Sequence, residues 1–92
     1  MAYRILYSET SRKQIGKLHP KIKHIVKSKI ETLQANPFSG KWLEKELSGY
    51  LSMQAKRFRV IYRIQDEDQT IEIYYVGHRR DFYELFKEAI AK

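Results

Sequence analysis

Ninety-two residues with 42% hydrophobic and 13% aromatic side chains make one small packed domain, 1–92, and exclude wholesale disorder. The chain has no cysteine, which removes disulfides and thiolate metal sites and suits a cytoplasmic protein. Eighteen Lys/Arg against 11 Asp/Glu leave a net charge of +7, which favours a polyanionic partner such as nucleic acid or an acidic protein.

No stretch approaches the roughly 18 apolar residues of a membrane span. The opening MAYRILYSET lacks the apolar segment of a signal peptide. Its YRILY, residues 3–7, reads as a strand with Tyr3, Ile5 and Tyr7 on one face. Ser8 is a candidate N-cap for a first helix, with Ile15 and Leu18 as its apolar side. His19-Pro20 breaks the chain. A second helix follows, with Ile22, Ile25, Val26, Ile30 and Leu33 at spacings of three and four and lysines on the other side. Asn36-Pro37 ends it, because the residue before proline avoids helical angles. Two helices with a tight break suggest an antiparallel hairpin.

Residues 37–49 carry Pro37, Gly40 and Gly49 and read as irregular, with Trp42, Leu43 and Leu47 anchoring the segment on the core. From residue 50 the period becomes two. Leu51, Met53 and Ala55 alternate with Ser52, Gln54 and Lys56, and Phe58, Val60, Tyr62 and Ile64 with Arg59, Ile61 and Arg63. Asp66 to Gln69 form a polar turn, and the next strand puts Ile71, Ile73 and Tyr75 on one face. Phe82, Leu85, Phe86 and Ile90 then recur at helical spacing, with Asp81 as a cap. The expected fold class is α+β: a small antiparallel sheet packed on an N-terminal helical hairpin, plus a C-terminal helix, in the order β-α-α-β-β-β-α.

If the apolar members of each strand face the helices, Ser52, Gln54, Lys56, Arg59 and Arg63 face the other way. Arg79 and Arg80 begin just past the last strand. Such a basic face suits a phosphate backbone, although the solvated side of a half-exposed sheet alternates in the same manner. His19, His24 and His78 have no metal-ligand spacing, no phosphate-cradling glycine loop is present, and no metal or cofactor is expected. One chemistry needs neither. An RNA 2′-hydroxyl can attack the adjacent phosphate if its proton is removed, the phosphorane charge is neutralised and the leaving oxygen is protonated. Arginine suits the phosphorane, and lysine, histidine or tyrosine can move protons. Arg59, Arg79, His78, Lys56 and Tyr83 supply that set.

The NP-x-x-G segment (Asn36, Pro37, Gly40), the L-x-G-Y (Leu47, Gly49, Tyr50), the FRVIYRI strand and VGHRRDFYE together resemble the RelE/ParE toxin superfamily of toxin–antitoxin modules. The likeness runs from YRILY to the last helix. It implies a RelE-like fold and a cognate, RelB-like antitoxin as partner. It also implies one of two activities. RelE-type members are metal-independent endoribonucleases (mRNA interferases) that cut mRNA in the ribosome; ParE-type members inhibit DNA gyrase. A third possibility is a module acting mainly as an antitoxin-bound repressor. For the RelE type, the resemblance assigns Arg59 to the scissile phosphate, Arg79 to the transition state and Tyr83 to base stacking or proton transfer. It places His78 where relatives carry lysine or histidine. Ser52, Gln54, Arg63 and Arg80 are the expected RNA contacts. The pattern departs at Ser52 and Gln54, where the RelE type has two lysines, leaving Lys56 or His78 as candidate base.

Overall fold

The computed structural model describes residues 3–78. Arg79, Arg80, Tyr83 and the expected C-terminal helix lie outside the described residues.

Strand β1 (Arg4–Tyr7) leads into helices α1 (Glu9–Gly16) and α2 (Pro20–Glu31). Ser8 caps α1, its Oγ accepting the Ser11 N–H at 3.0 Å. His19 caps α2 in the same way: its Nδ1 accepts the Lys21 N–H at 3.2 Å, and Pro20 occupies the first turn, where no N–H is needed. These caps explain why so short a connection holds two helices. The chain then passes through single 3-10 turns and β2 (Lys41–Trp42) into a meander of β3 (Leu51–Ala55), β4 (Phe58–Gln65) and β5 (Thr70–His78).

The five described strands lie in the order β1-β5-β4-β3-β2. The meander is antiparallel as its alternation requires, but the sheet is mixed, because β1 pairs with β5 in parallel. The chain enters at one edge, crosses one face as helices and returns at the far edge through β2. The last strand of the meander is therefore the neighbour left for β1. β2 itself was not expected; two residues are too few to show a period.

The main core lies between helices and sheet. Ile15, Val26, Ile30 and Leu33 meet Leu51, Val60, Tyr62, Ile71 and Ile73. Each such side chain removed from water contributes roughly 1.5–3 kcal/mol before entropy is charged against it. The NP-x-x-G segment joins this core through one side chain. The Tyr62 hydroxyl donates to the Pro37 carbonyl at 2.9 Å and accepts the Gly40 N–H at 3.0 Å. A Cβ at Gly40 would lie 2.3 Å from that hydroxyl oxygen, so the position has room only for glycine.

One strand departs from simple alternation. Ile61 pairs with Tyr75 but Tyr62 pairs with Ile73, so Tyr74 is an extra residue, a β-bulge on β5. Beyond it the phase inverts. Val76 faces the helices, and Tyr75, expected beside Ile71 and Ile73, instead faces the other side. There it joins Leu43, Leu47 and Ile61 in a second buried cluster, flanked by Tyr50 and Tyr74. Helix α1 holds the bulge in place. The Ser11 hydroxyl donates to the Ile73 carbonyl at 2.9 Å, and that of Ser8 to the Tyr74 carbonyl at 3.1 Å. The Gln14 side-chain oxygen accepts the Val76 N–H at 2.7 Å. These side chains take over as partners of β5 where β1 ends.

Candidate nucleic-acid interface

The second face of the sheet is only partly open. Residues 43–50 cover its middle, through Leu43 and Leu47 over Ile61 and Tyr75. This divides the basic residues that alternation places on one face. Arg63 lies on the far side of that cover, with its guanidinium carbon 5.9 Å from the centre of the Tyr50 ring. Tyr50 in turn meets Tyr74 edge to face at 5.4 Å, and the Tyr74 hydroxyl donates to Glu72 at 3.1 Å. Burial and the Glu72 carboxylate raise the Tyr74 pKa, while Arg63 opposes them. This group holds the loop and is remote from Arg59 along β4.

Arg59 lies nearer the other end. It is directly opposite Gln54 on β3 and Gly77 on β5. Gly77 has no side chain to crowd it, and the Tyr75 ring fills that space: a Cβ on Gly77 would come within 2.5 Å of the ring. Arg59 is half-buried, with its Nε shielded from solvent. Gln54 is exposed and turned to the hairpin, its Nε2 donating to the Lys56 carbonyl at 3.0 Å. Lys56 is at the hairpin tip with a left-handed φ of 58°, beyond the flat part of the strands.

Two candidates stand elsewhere than an open face requires. Ser52 is buried, at 1% exposure, on the strand that β2 flanks, where it pairs with Lys41. His78 follows Gly77 and therefore points to the other side of β5 from Arg59. Its ring packs edge-on against Phe58 at 5.6 Å. Trp42, expected to anchor the core, is 53% exposed instead; its neighbour Leu43 makes the buried contact.

What surrounds Arg59 is a cleft of about 370 Å³ at the β3 edge. Ser52, Gln54 and Arg59 line it from the sheet. Lys41 of β2 and Lys29 and Thr32 at the end of α2 line it from beyond the edge. Among the described residues its charged lining is wholly cationic. Lys29 and Lys41 were not singled out in the sequence. Lys29 is one of several lysines on the outer side of α2, and Lys41 belongs to a strand too short to announce itself.

A helical layer on a mixed sheet is a fold that solved toxins of toxin–antitoxin modules share. A family model described as the ParE toxin of the type II toxin–antitoxin system parDE matches residues 5–83. Toxin RelG of Mycobacterium tuberculosis is 36% identical over 85 residues, which span 90% of this chain and 98% of that protein. A chain of the RelBE2 toxin–antitoxin complex from M. tuberculosis superposes with a TM-score of 0.77 at 34% identity, over 86% of this chain and 100% of that one. A mutant E. coli toxin RelE in the free state, 21% identical, shares the fold at a TM-score of 0.79, over 99% of this chain and 97% of that one. The chain belongs to the ParE toxin family, within the RelE/ParE superfamily, and is the toxin of a type II toxin–antitoxin module.

Proposed function

We propose that this toxin is a ribosome-dependent endoribonuclease that cuts mRNA by attack of a 2′-hydroxyl on the adjacent phosphate. The observation that carries the reading is Arg59, held half-buried between Gln54 and Gly77 in a cleft whose described charged lining is cationic. A guanidinium fixed there neutralises a phosphate and gains strength as the phosphorane forms, because partial burial lowers the local dielectric. The 2′-oxygen bonds to phosphorus and the bond to the 5′-oxygen breaks. The products are a 2′,3′-cyclic phosphate and a 5′-hydroxyl, with one proton lost at the first oxygen and one gained at the last. Arg79 and Tyr83, a few residues beyond β5, are assigned transition-state binding and base stacking or proton transfer. Gln54 accepts no proton usefully, and His78 lies against Phe58. The ribosome is thus expected to supply part of the geometry, and the toxin acts in the cytoplasm with a RelB-like antitoxin as its partner.

The test is primer extension on ribosome-bound message. Wild-type protein should give a discrete cut, absent with Arg59→Ala and with a 2′-deoxy scissile nucleotide. An intact message with pure wild-type protein would sink the reading.

A second reading, a ParE-like gyrase inhibitor without nuclease activity, is favoured by the burial of Ser52 and the engagement of Gln54 with the hairpin turn. It expects gyrase supercoiling to stop in vitro while translation continues.

A further inference from the structure

The cleft around Arg59 does not end at the sheet. It turns over the β3 edge to Lys41 and Lys29, residues outside the set assigned above. Both are exposed and neither β2 nor α2 belongs to the central strands. Ser52 adds a second observation: it lines the same cleft, is 1% exposed, and its Oγ has no hydrogen-bond partner among the described residues. A buried hydroxyl beside three cations suits an oxyanion. The segment Ser39–Lys41 that walls the cleft is flanked in the chain by Phe38 and Trp42. Their rings pair at 6.2 Å with a 38° tilt, and 52% and 53% of the two residues remain exposed. Exposed aromatics beside a cationic groove are the two parts of a single-strand platform, rings for bases and cations for phosphates.

We propose that single-stranded RNA leaves Arg59 over the β3 edge, with flanking phosphates on Lys29 and Lys41 and a base stacked on the Phe38–Trp42 pair. The inference rests on the nuclease reading and adds to it a path for the substrate. The two lysines supply, from α2 and β2, positive charge that β3 itself lacks at Ser52 and Gln54. The cationic lining selects a polyanion over an apolar protein segment as occupant.

Trp42 is the single tryptophan of the chain and reports on its own site. The full chain is titrated with a 2′-O-methyl oligoribonucleotide, which binds without being cut. Binding should quench Trp42 and weaken with salt. Lys29→Ala and Lys41→Ala should each flatten the log–log salt dependence by about 0.7. Phe38→Ala should weaken binding roughly tenfold. All three side chains are exposed, so unchanged circular dichroism and Tm are expected and serve as the folding check. Binding seen by anisotropy without quenching, no binding at all, or a salt slope indifferent to both lysines would each overturn the path. So would polyglutamate acting as well as RNA, since that marks a surface for an acidic protein. Cleavage is scored separately on ribosomes. Quenching with lysine dependence but no cut would remove the nuclease reading and leave RNA binding; a cut without them would remove only the path.

Discussion

The Tyr62 hydroxyl stands between Pro37 and Gly40, donating to the carbonyl of one and accepting the N–H of the other. The tyrosine belongs to a central strand and is fully buried, so one side chain fixes the irregular segment that leads to the cleft wall. Removing the hydroxyl leaves a backbone donor and an acceptor without it. Tyr62→Phe should cost about 1–3 kcal/mol, read as a lower urea midpoint at unchanged m-value.

The same group gives an alkaline limit to stability. Burial raises the Tyr62 pKa above 10.0, partly opposed by the Gly40 N–H, and the Tyr74 pKa is raised as well. A raised folded-state pKa means that the fold holds its proton more tightly than the unfolded chain does. The contribution is therefore complete below pH 10 and is lost as pH rises through the folded values. Thermal unfolding followed from pH 8 to 11 should show a falling Tm above about pH 10. Tyr62→Phe should soften that fall.

Gly77→Ala should be more harmful than its size suggests. The new methyl meets the Tyr75 ring at 2.5 Å, and that ring is locked in the second buried cluster. Either the ring moves or β5 does, at a cost of about 1–3 kcal/mol. Because Gly77 is the β5 partner of Arg59, cutting of ribosome-bound message should fall by more than the lost stability accounts for. Equal activity per folded molecule would argue against a coupling between the two.

For Arg59 the expectation is chemical. Arg59→Ala should lower the single-turnover cutting rate by about 10²–10³-fold with the fold intact. Arg59→Lys should fall between the two, since a point charge replaces a bidentate fork. Full activity of Arg59→Ala would remove it from the reaction.

Much of this architecture was legible in the residues. Ser8 and Pro20 mark helix starts by mechanisms confined to a few neighbouring residues, and the period-two runs of β3 and β4 record a buried face. What escaped depends on distant partners. The bulge at Tyr74 has no composition of its own; it is held by Ser8 and Ser11, which bond the Tyr74 and Ile73 carbonyls 66 and 62 positions along the chain, and it turns Tyr75 over. Ser52 looks solvent-facing by alternation and is buried, beside a two-residue edge strand that its own strand does not announce. Trp42 looks like a core anchor, yet Leu43 takes that place. The candidate site shows the same division. Arg59 could be picked by phase on its strand, whereas Lys29 and Lys41 join it only where a helix end and an edge strand meet.

The parallel pairing of β1 with β5 also orders events in time. Arg4 must find Thr70, 66 positions later, so among the described strands the earliest is the last that can be paired. During synthesis, β1 waits until β5 has cleared the exit tunnel, and Arg59 waits with it for Gly77. A nascent chain therefore cannot set Arg59 beside its Gly77 partner until β5 has emerged. Whatever depends on that pairing begins only after β5 has met β4 and β1.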